Sequence, residues 1–508
     1  MSARFSFPAA ELRRRTLRGA VVTGGFLMLI DGLVLVQGLI VTRLLGPQAI
    51  GLYGVVTTAV MTLIALKRVG IDEAFVQQEQ DEQEHEFQHA FTLELGFSAL
   101  MAMAICALAP LVGLLYRDER LTVLMLALAY LPLAFAMQAP LWIFFRRMDY
   151  ARQRSLQAIQ PLVSFCVTIP LAATTSLGVW SLVVGQVAGY AAAVTAGLVA
   201  SPYRLALRYD RTVAARYLRF STPILVSVLA TMIIAQGQML AFKLNDGLAA
   251  AGFLTLAVTL TRYIDRADQV ITATIYPAIC AVQGRTRVLQ ELFVKSNRAT
   301  LMWVLPFAGG IVLFAPDLVH FVLGRRWDPA IVLLQGLAVA GAITHLGFNW
   351  FSFYRAHGNT GPPAVEAVVA AVAFLALAVP GLLLAGAEGF VAGRVAGALA
   401  ALAVRTFYVR RLMPGVRYRP LVAPAIVPLT LAAAVVLAVR LIAWGGARPA
   451  WQAIVEVALF TGVFALVALR RERPLVAELV GALRHREVEL GAEVTPAGGP
   501  GRGEQGAS

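Results

Sequence analysis

The sequence predicts an all-α polytopic membrane protein of about 14 transmembrane helices: two tandem parallel six-helix bundles plus two extra C-terminal helices, around a central cavity. Three observations carry the prediction. The 508-residue chain is 59% hydrophobic and 14% charged, with mean hydropathy +0.73, whereas soluble proteins carry about 25% charged residues. Its apolar runs are long enough to cross a bilayer, which takes roughly 20 residues as helix. Ionisable residues also stand inside two of those runs. Asp31 lies near the middle of the run 19–46, and Arg262, Asp265, Arg266 and Asp268 fall together in the run 247–280. A charge near the bilayer centre costs at least ~2.5–3.5 kcal/mol, so such groups face a polar interior, as in a transporter.

The spans are expected at about 19–45, 48–69, 88–115, 120–145, 155–175, 178–200, 219–243, 248–279, 299–323, 329–354, 362–385, 387–409, 420–442 and 450–469. Basic residues orient them. With the N-terminus inside, the tails and even-numbered connections hold 32 of the 43 Lys and Arg, the opposite side holds 8, and 3 lie within spans. That asymmetry places both termini in the cytoplasm. The acidic run 81–86 dissents but is read as a solvated charge run, since acidic residues contribute little to topology. A formal net charge of +14 could indicate nucleic acid. Here the basic residues cluster between apolar runs and no nucleic-acid motif is present, so no nucleic-acid partner is expected. Cys106, Cys166 and Cys280 lie in or at the ends of apolar runs without metal-ligand spacing, and are expected as small buried hydrophobes. No metal and no cofactor are expected. The Arg-rich N-terminus leads into a run too long for a signal-peptide core, so the first helix is expected to be retained.

An internal repeat supports the two-bundle layout. Gly178 to Gly189 in span 6 matches Gly386 to Gly397 in span 12, with Gln186 aligned to Arg394. Thr42-Arg43-Leu44, then Gly51-Leu52-Tyr53, matches Phe242-Lys243-Leu244, then Gly252-Phe253-Leu254. Spans 4 and 10 both end in aromatics followed by Arg146 or Arg355. Six spans per unit is even, so both units enter from the same side as parallel repeats, with a cavity between them. The expected divisions are 1–208, 209–415, two additional helices over 416–470, and a cytoplasmic tail, mostly disordered, over 471–508. The Gly spacing in spans 6 and 12 is expected to serve close helix packing.

The stretch from Arg43 through Gly46-Pro47 to Gly51-Leu52-Tyr53, the segment Val69-Gly70-Ile71 to Val76-Gln77, and the basic segment Phe145 to Arg152 resemble the polysaccharide-biosynthesis flippases. These belong to the multidrug/oligosaccharidyl-lipid/polysaccharide exporter superfamily, and the closest likeness is to its colanic-acid or exopolysaccharide branch. The resemblance implies a bacterial inner-membrane protein that moves an undecaprenyl-diphosphate-linked oligosaccharide, an exopolysaccharide or lipopolysaccharide repeat unit, from the cytoplasmic to the outer leaflet. Its implied partners are that glycan, the lipid bilayer, and the polymerase or export machinery of a polysaccharide pathway. A multidrug or cation antiporter and a lipid II flippase of the same superfamily are the alternatives. An enzyme is not expected: there is no Walker loop, HExxH or triad, and the expected outer loops are too short for a glycosyltransferase site.

A diphosphate cargo needs cations in a water-accessible cavity, and the planar guanidinium fork binds phosphate bidentately. Arg262 and Arg266, four apart, are expected on one face of span 8 beside Asp265 and Asp268. Arg394, His345 and Asn349 complete the expected cargo-facing set, with Asp31, Asp265 and Asp268 as expected ion-coupling groups. For Asp31 two roles stay open: a proton or cation site, or the partner of an Arg across the bundle. His345, Asn349, Gln236 and Gln238 could instead bridge helices by hydrogen bonds. Glu388 is a possible partner of Arg394, and Glu94 and Glu366 are expected to be hydrated near the cytoplasmic ends.

Overall fold

The computed structural model describes residues 9–66, 71–77, 82–211, 225–282, 285–359, 361–444 and 449–473. The expected tail beyond 473, Lys67 and Arg68, Asp81 and part of the 209–224 linker lie outside these. Among the described residues all regular elements are helical, and 11 helices are long and apolar enough to cross a membrane. This differs from the expected 14 spans at three places, each with a local cause.

Two of the long helices are hairpins. Leu225–Thr261 is broken at Gly247, where φ is 84°, and Thr255 Oγ1 meets Met239 Sδ at 3.9 Å, eight residues either side of the break. Val379–Leu412 is broken at Ala385-Gly386. There Gly381 lies against Gly389, and Gly393 against Ala378, so closely that a Cβ on either glycine would overlap the facing backbone. Each break turns an apolar run back on itself, so expected spans 7 and 8, and 11 and 12, run on without an intervening loop. The third difference is span 10. It is helical over Ala330–Thr344, turns at His345 to Asn349 with Gly347 at φ 74°, and resumes over Trp350–Ala356. Span 4 is likewise built in pieces, Glu119–Ala127, Leu131–Ala136 and Pro140–Arg146, with prolines at the starts of the second and third, where a missing N–H costs little.

The backbone repeats where the sequence does. Gly46 and Gly247 both have φ 84°, after spans 1 and 7; Gly178 (φ 56°) and Gly386 (φ 61°) precede spans 6 and 12. Arg117 (φ 52°) and Gly324 (φ 95°) end spans 3 and 9. Left-handed backbone at matched turns is what a duplicated six-helix unit requires. The glycine-rich faces pack as expected: Gly185 and Gly189 meet Thr168 and Gln160 of span 5.

The halves meet along span 2, Pro47–Leu66, and the Leu225–Thr261 hairpin. A Cβ on Gly51 would overlap the Leu248 carbonyl, and one on Gly252 the Pro47 carbonyl. The contact is reciprocal, as across a two-fold axis, because both glycines derive from the same repeat position. Around it a continuous apolar core joins the halves, including Val55, Leu124, Leu254, Trp327 and Phe374. Phe242 and Phe390 pack edge to face at 4.8 Å within it.

The two helices outside the repeat, Arg419–Val439 and Ala450–Arg471, pack on Thr286–Asp317. Arg440, at the end of the expected span 420–442, is held between Asp317 (3.2 Å) and Glu456 (2.7 Å). Arg298 binds Glu472 at 2.5 Å near the other end. Two expectations are corrected here. Cys106, Cys166 and Cys280 are exposed on the helical surface rather than buried; lipid tails are as apolar as a core, so nothing drives a thiol inward. Glu366 is largely withdrawn from solvent, 12% exposed, and pairs with Arg405 at 2.5 Å.

Candidate functional site

The polar groups of the membrane region separate into a clasp at one end, an ion pair between the halves, and two cavities that share Arg262. The clasp is built twice from repeat-related residues. Arg43, at the end of span 1, donates to the carbonyls of Val322 (2.9 Å) and Phe321 (3.4 Å) at the end of span 9. Lys243, at the matching place after span 7, donates to the Tyr116 carbonyl at the end of span 3. Arg326 returns a bond to the Arg43 carbonyl. Each helix end leaves orphan carbonyls that need donors, and here each half's cation supplies the other's. Beside Lys243, the Arg120 guanidinium bonded to Asp118 holds that carboxyl below its usual range, and the Lys243 charge acts in the same direction.

Twelve residues back along span 1, about 18 Å at 1.5 Å per residue, Asp31 forms the second tie. Arg266 Nη2 donates to its carboxylate at 2.7 Å, and Tyr263 Oη donates to its carbonyl at 3.3 Å. The Asp31 and Arg266 side chains are 24% and 44% exposed. The geometry gives Asp31 an arginine partner across the bundle.

Arg262 and Arg266 do not share a face. A 3-10 turn, Arg262–Asp265, interrupts span 8 at the polar residues, and its tighter winding turns the two side chains apart. Arg266 reaches span 1, while Arg262 faces inward. One cavity, about 490 Å³, lies between the halves and is lined by Thr57, Thr62, Thr231, Met239, Thr259 and Arg262. The other, about 310 Å³, lies within the second half and is lined by Arg262, Asp265, Gln238, Thr344, Phe374 and Arg394. The first sits on the side of the Gly51–Gly252 contact away from the clasp. Gln236 crosses beside it to Thr62 Oγ1 (2.7 Å) and the Thr58 carbonyl (3.0 Å).

Of the remaining expected site residues, Arg394 faces its cavity with the guanidinium 6.0 Å from the Phe374 ring. Its Nε has no hydrogen-bond partner, and among the described residues it forms no ion pair with Glu388. His345 is buried, with Nε2 3.2 Å from Asp265 and Nδ1 2.8 Å from the Gly341 carbonyl. Asn349 is 2% exposed; it donates to Ser296 Oγ at 2.7 Å and accepts from Asn297 at 3.0 Å. Both hold the broken span 10 to its neighbours, and neither lines the two cavities. Asp268 accepts from Thr272 on its own helix at 2.8 Å. The clasp cations had a sequence signal, their places in the repeat, but no signal for their acceptors, which are backbone carbonyls far along the chain.

Comparison with known proteins bears on the family and the fold. A family model described as polysaccharide biosynthesis protein matches residues 40–332. The lipopolysaccharide biosynthesis protein WzxC of Escherichia coli (strain K12) is 23% identical over 347 residues, 66% of this chain and 69% of its own. The succinoglycan biosynthesis transport protein ExoT of Rhizobium meliloti (strain 1021) is 26% identical over 361 residues, 66% of this chain and 71% of its own. An inward-facing multidrug resistance MATE family transporter of the MOP superfamily superposes with a TM-score of 0.63 at 16% identity, covering 76% of this chain and 96% of its own. The lipid II flippase MurJ, in an inward closed conformation, gives a TM-score of 0.63 at 10% identity, covering 88% and 100%. At those identities the solved structures show the fold alone, the helical fold that these proteins share with this chain. The family model spans more than half of the 508 residues, and the chain belongs to the polysaccharide biosynthesis protein family.

Proposed function

We propose that this protein is a flippase that moves an undecaprenyl-diphosphate-linked oligosaccharide from the cytoplasmic to the outer leaflet of a bacterial inner membrane. The two six-helix units, residues 1–208 and 209–415, rock against each other in alternating access, and both termini are cytoplasmic. The observation that carries this reading is Arg262, which stands where the inter-half cavity and the second-half cavity meet. A polyprenyl diphosphate carries its charge at the junction between lipid tail and glycan. A guanidinium in a water-accessible cavity inside the membrane matches that need, since a hydrogen bond to a charged group contributes about 1.5–3 kcal/mol.

The clasp and the Gly51–Gly252 contact close the end that carries the loops after spans 1, 3, 7 and 9. The inter-half cavity lies on the other side of that contact, the cytoplasmic side in the orientation set by the basic residues. This is the arrangement of a loading state. Asp31 and Arg266 then tie the halves across the path that cargo enters, and their partial exposure lets water, protons or phosphate compete for them. Export of organic cations fits less well, because Arg262 on the wall of both cavities repels that cargo.

Glycan export in cells tests the assignment. Arg262→Ala at normal protein abundance is expected to abolish export, and Arg262→Lys to restore it partly, since Lys keeps the charge without the fork. Full export by the Ala variant would remove Arg262 from the cargo path.

A further inference from the structure

The two halves differ sharply at one repeat-related position, Gln186 in the first and Arg394 in the second. In the first half, Gln186 is closed off: Tyr53 Oη donates to its carbonyl oxygen at 2.9 Å. Tyr190, one turn on, packs edge to face against Tyr130 and Phe135, and fills the space beside it. The repeat maps Gln186 to Arg394, Tyr53 to Leu254 and Tyr190 to Ala398. In the second half, therefore, the hydrogen-bonding tyrosine is gone, the filling tyrosine is a methyl group, and the neutral amide is a cation. What remains is the cavity of about 310 Å³ that Arg394 and Ala398 line, with Arg262 and Gln238 on its wall.

The carboxylate that lines this cavity, Asp265, is bonded to His345. Two guanidiniums therefore face the cavity against one carboxylate that already has a partner. A guanidinium held away from bulk water without an anion is costly, and such charges are ordinarily paired or bind a ligand. The cavity volume is about 310 Å³. That is room for one phosphate or one sugar ring, and too little for an oligosaccharide.

We infer that the second half carries its own small-oxyanion site, a pocket around Arg394 that takes a single carboxylate or phosphate-type group and shares Arg262 with the inter-half cavity. The occupant is either a free anion or an acidic substituent on the cargo's glycan. The site goes beyond the flipping reading, because its binding can be measured on the resting protein whatever the protein transports.

Titration calorimetry on the purified full-length protein in detergent, at fixed ionic strength, tests it with two probes: inorganic phosphate and glucuronate. One saturable site for either probe is expected. Arg394→Gln, which installs the first half's residue, should weaken it roughly 10- to 100-fold, the range for loss of a charge-assisted hydrogen bond. Ala398→Tyr, which refills the space without touching the charge, should abolish it. Glucuronate binding alone would identify the acidic sugar as the occupant; binding of both would identify a general oxyanion site. Saturable binding of neither probe to the wild type overturns the inference. So does binding that both variants retain at wild-type strength. If Arg394→Gln does not fold, Ala398→Tyr and the wild-type titration decide the question.

Discussion

Two carboxylates that bridge to arginine test how burial sets the worth of an ion pair in this protein. Asp31 and Arg266 are 24% and 44% exposed; Glu366 and Arg405 are 12% and 9% exposed. The distances are similar, 2.7 and 2.5 Å, so contact geometry alone predicts equal effects. Solvent predicts otherwise. A wetted pair contributes about 0.2–1 kcal/mol, whereas removing one partner of a buried pair costs about 3–5 kcal/mol by stranding the other charge. Arg405 has a further duty that deepens the difference. It donates to the carbonyls of Thr344 and Leu346 (2.8 Å for the latter), where span 10 breaks and helix carbonyls lack partners. Glu366→Gln leaves that guanidinium unbalanced. Thermal melts of purified Asp31→Asn and Glu366→Gln in one detergent should therefore separate clearly, with Glu366→Gln melting well below the wild type and Asp31→Asn close to it. Equal losses would refute the assignment of Asp31 to a wetted site. A proteoliposome assay adds the functional half: Asp31→Asn should retain flipping but no longer respond to an imposed proton gradient, and an unchanged response would deny it a coupling role.

The clasp should behave as two equivalent halves. Arg43→Ala and Lys243→Ala should each raise the accessibility of a cysteine placed at Phe321 or Tyr116, and the double variant should do so by more than either; no change in the double variant would mean that the glycine contact alone closes this end. Gly51→Val should block that closure, because its branched side chain would overlap the Leu248 carbonyl, so the variant should fold but stay labelled at the open end, and full flipping by it would show that the contact never forms. Reporter fusions after Ala200 and Arg470 should read cytoplasmic; a periplasmic reading at either would overturn the orientation.

The helices were legible in the sequence because hydropathy over roughly 20 residues is a strong and local signal. The turns between halves of a hairpin were not. Nothing local separates Gly247, which breaks a helix at φ 84°, from Gly252, which packs inside one. The repeat was legible, and it pointed to the places of Arg43 and Lys243, but not to their acceptors, which are backbone carbonyls and carry no residue signature. The polar stripe on span 8 was found as a stripe, yet its face was wrong: helical spacing assumes an unbroken α-helix, and the 3-10 turn at Arg262–Asp265 sends neighbouring arginines to different partners. His345 and Asn349 were visible as polar groups in an apolar run, and only the packing of span 10 against Ser296 and Asp265 shows what they bind. The contrast between Gln186 and Arg394 was visible in the aligned sequence, but its meaning rests on Tyr53, which lies 133 residues away in the chain.

Transfer of cargo by the purified protein is the most direct measurement. Vesicles reconstituted with the full chain and a fluorescent undecaprenyl-diphosphate-linked oligosaccharide should show protein-dependent movement of the labelled headgroup between leaflets, lost in Arg262→Ala and partly kept in Arg262→Lys. Vesicles in which the wild-type protein leaves that lipid in place, while driving out an organic cation, would contradict the flippase reading.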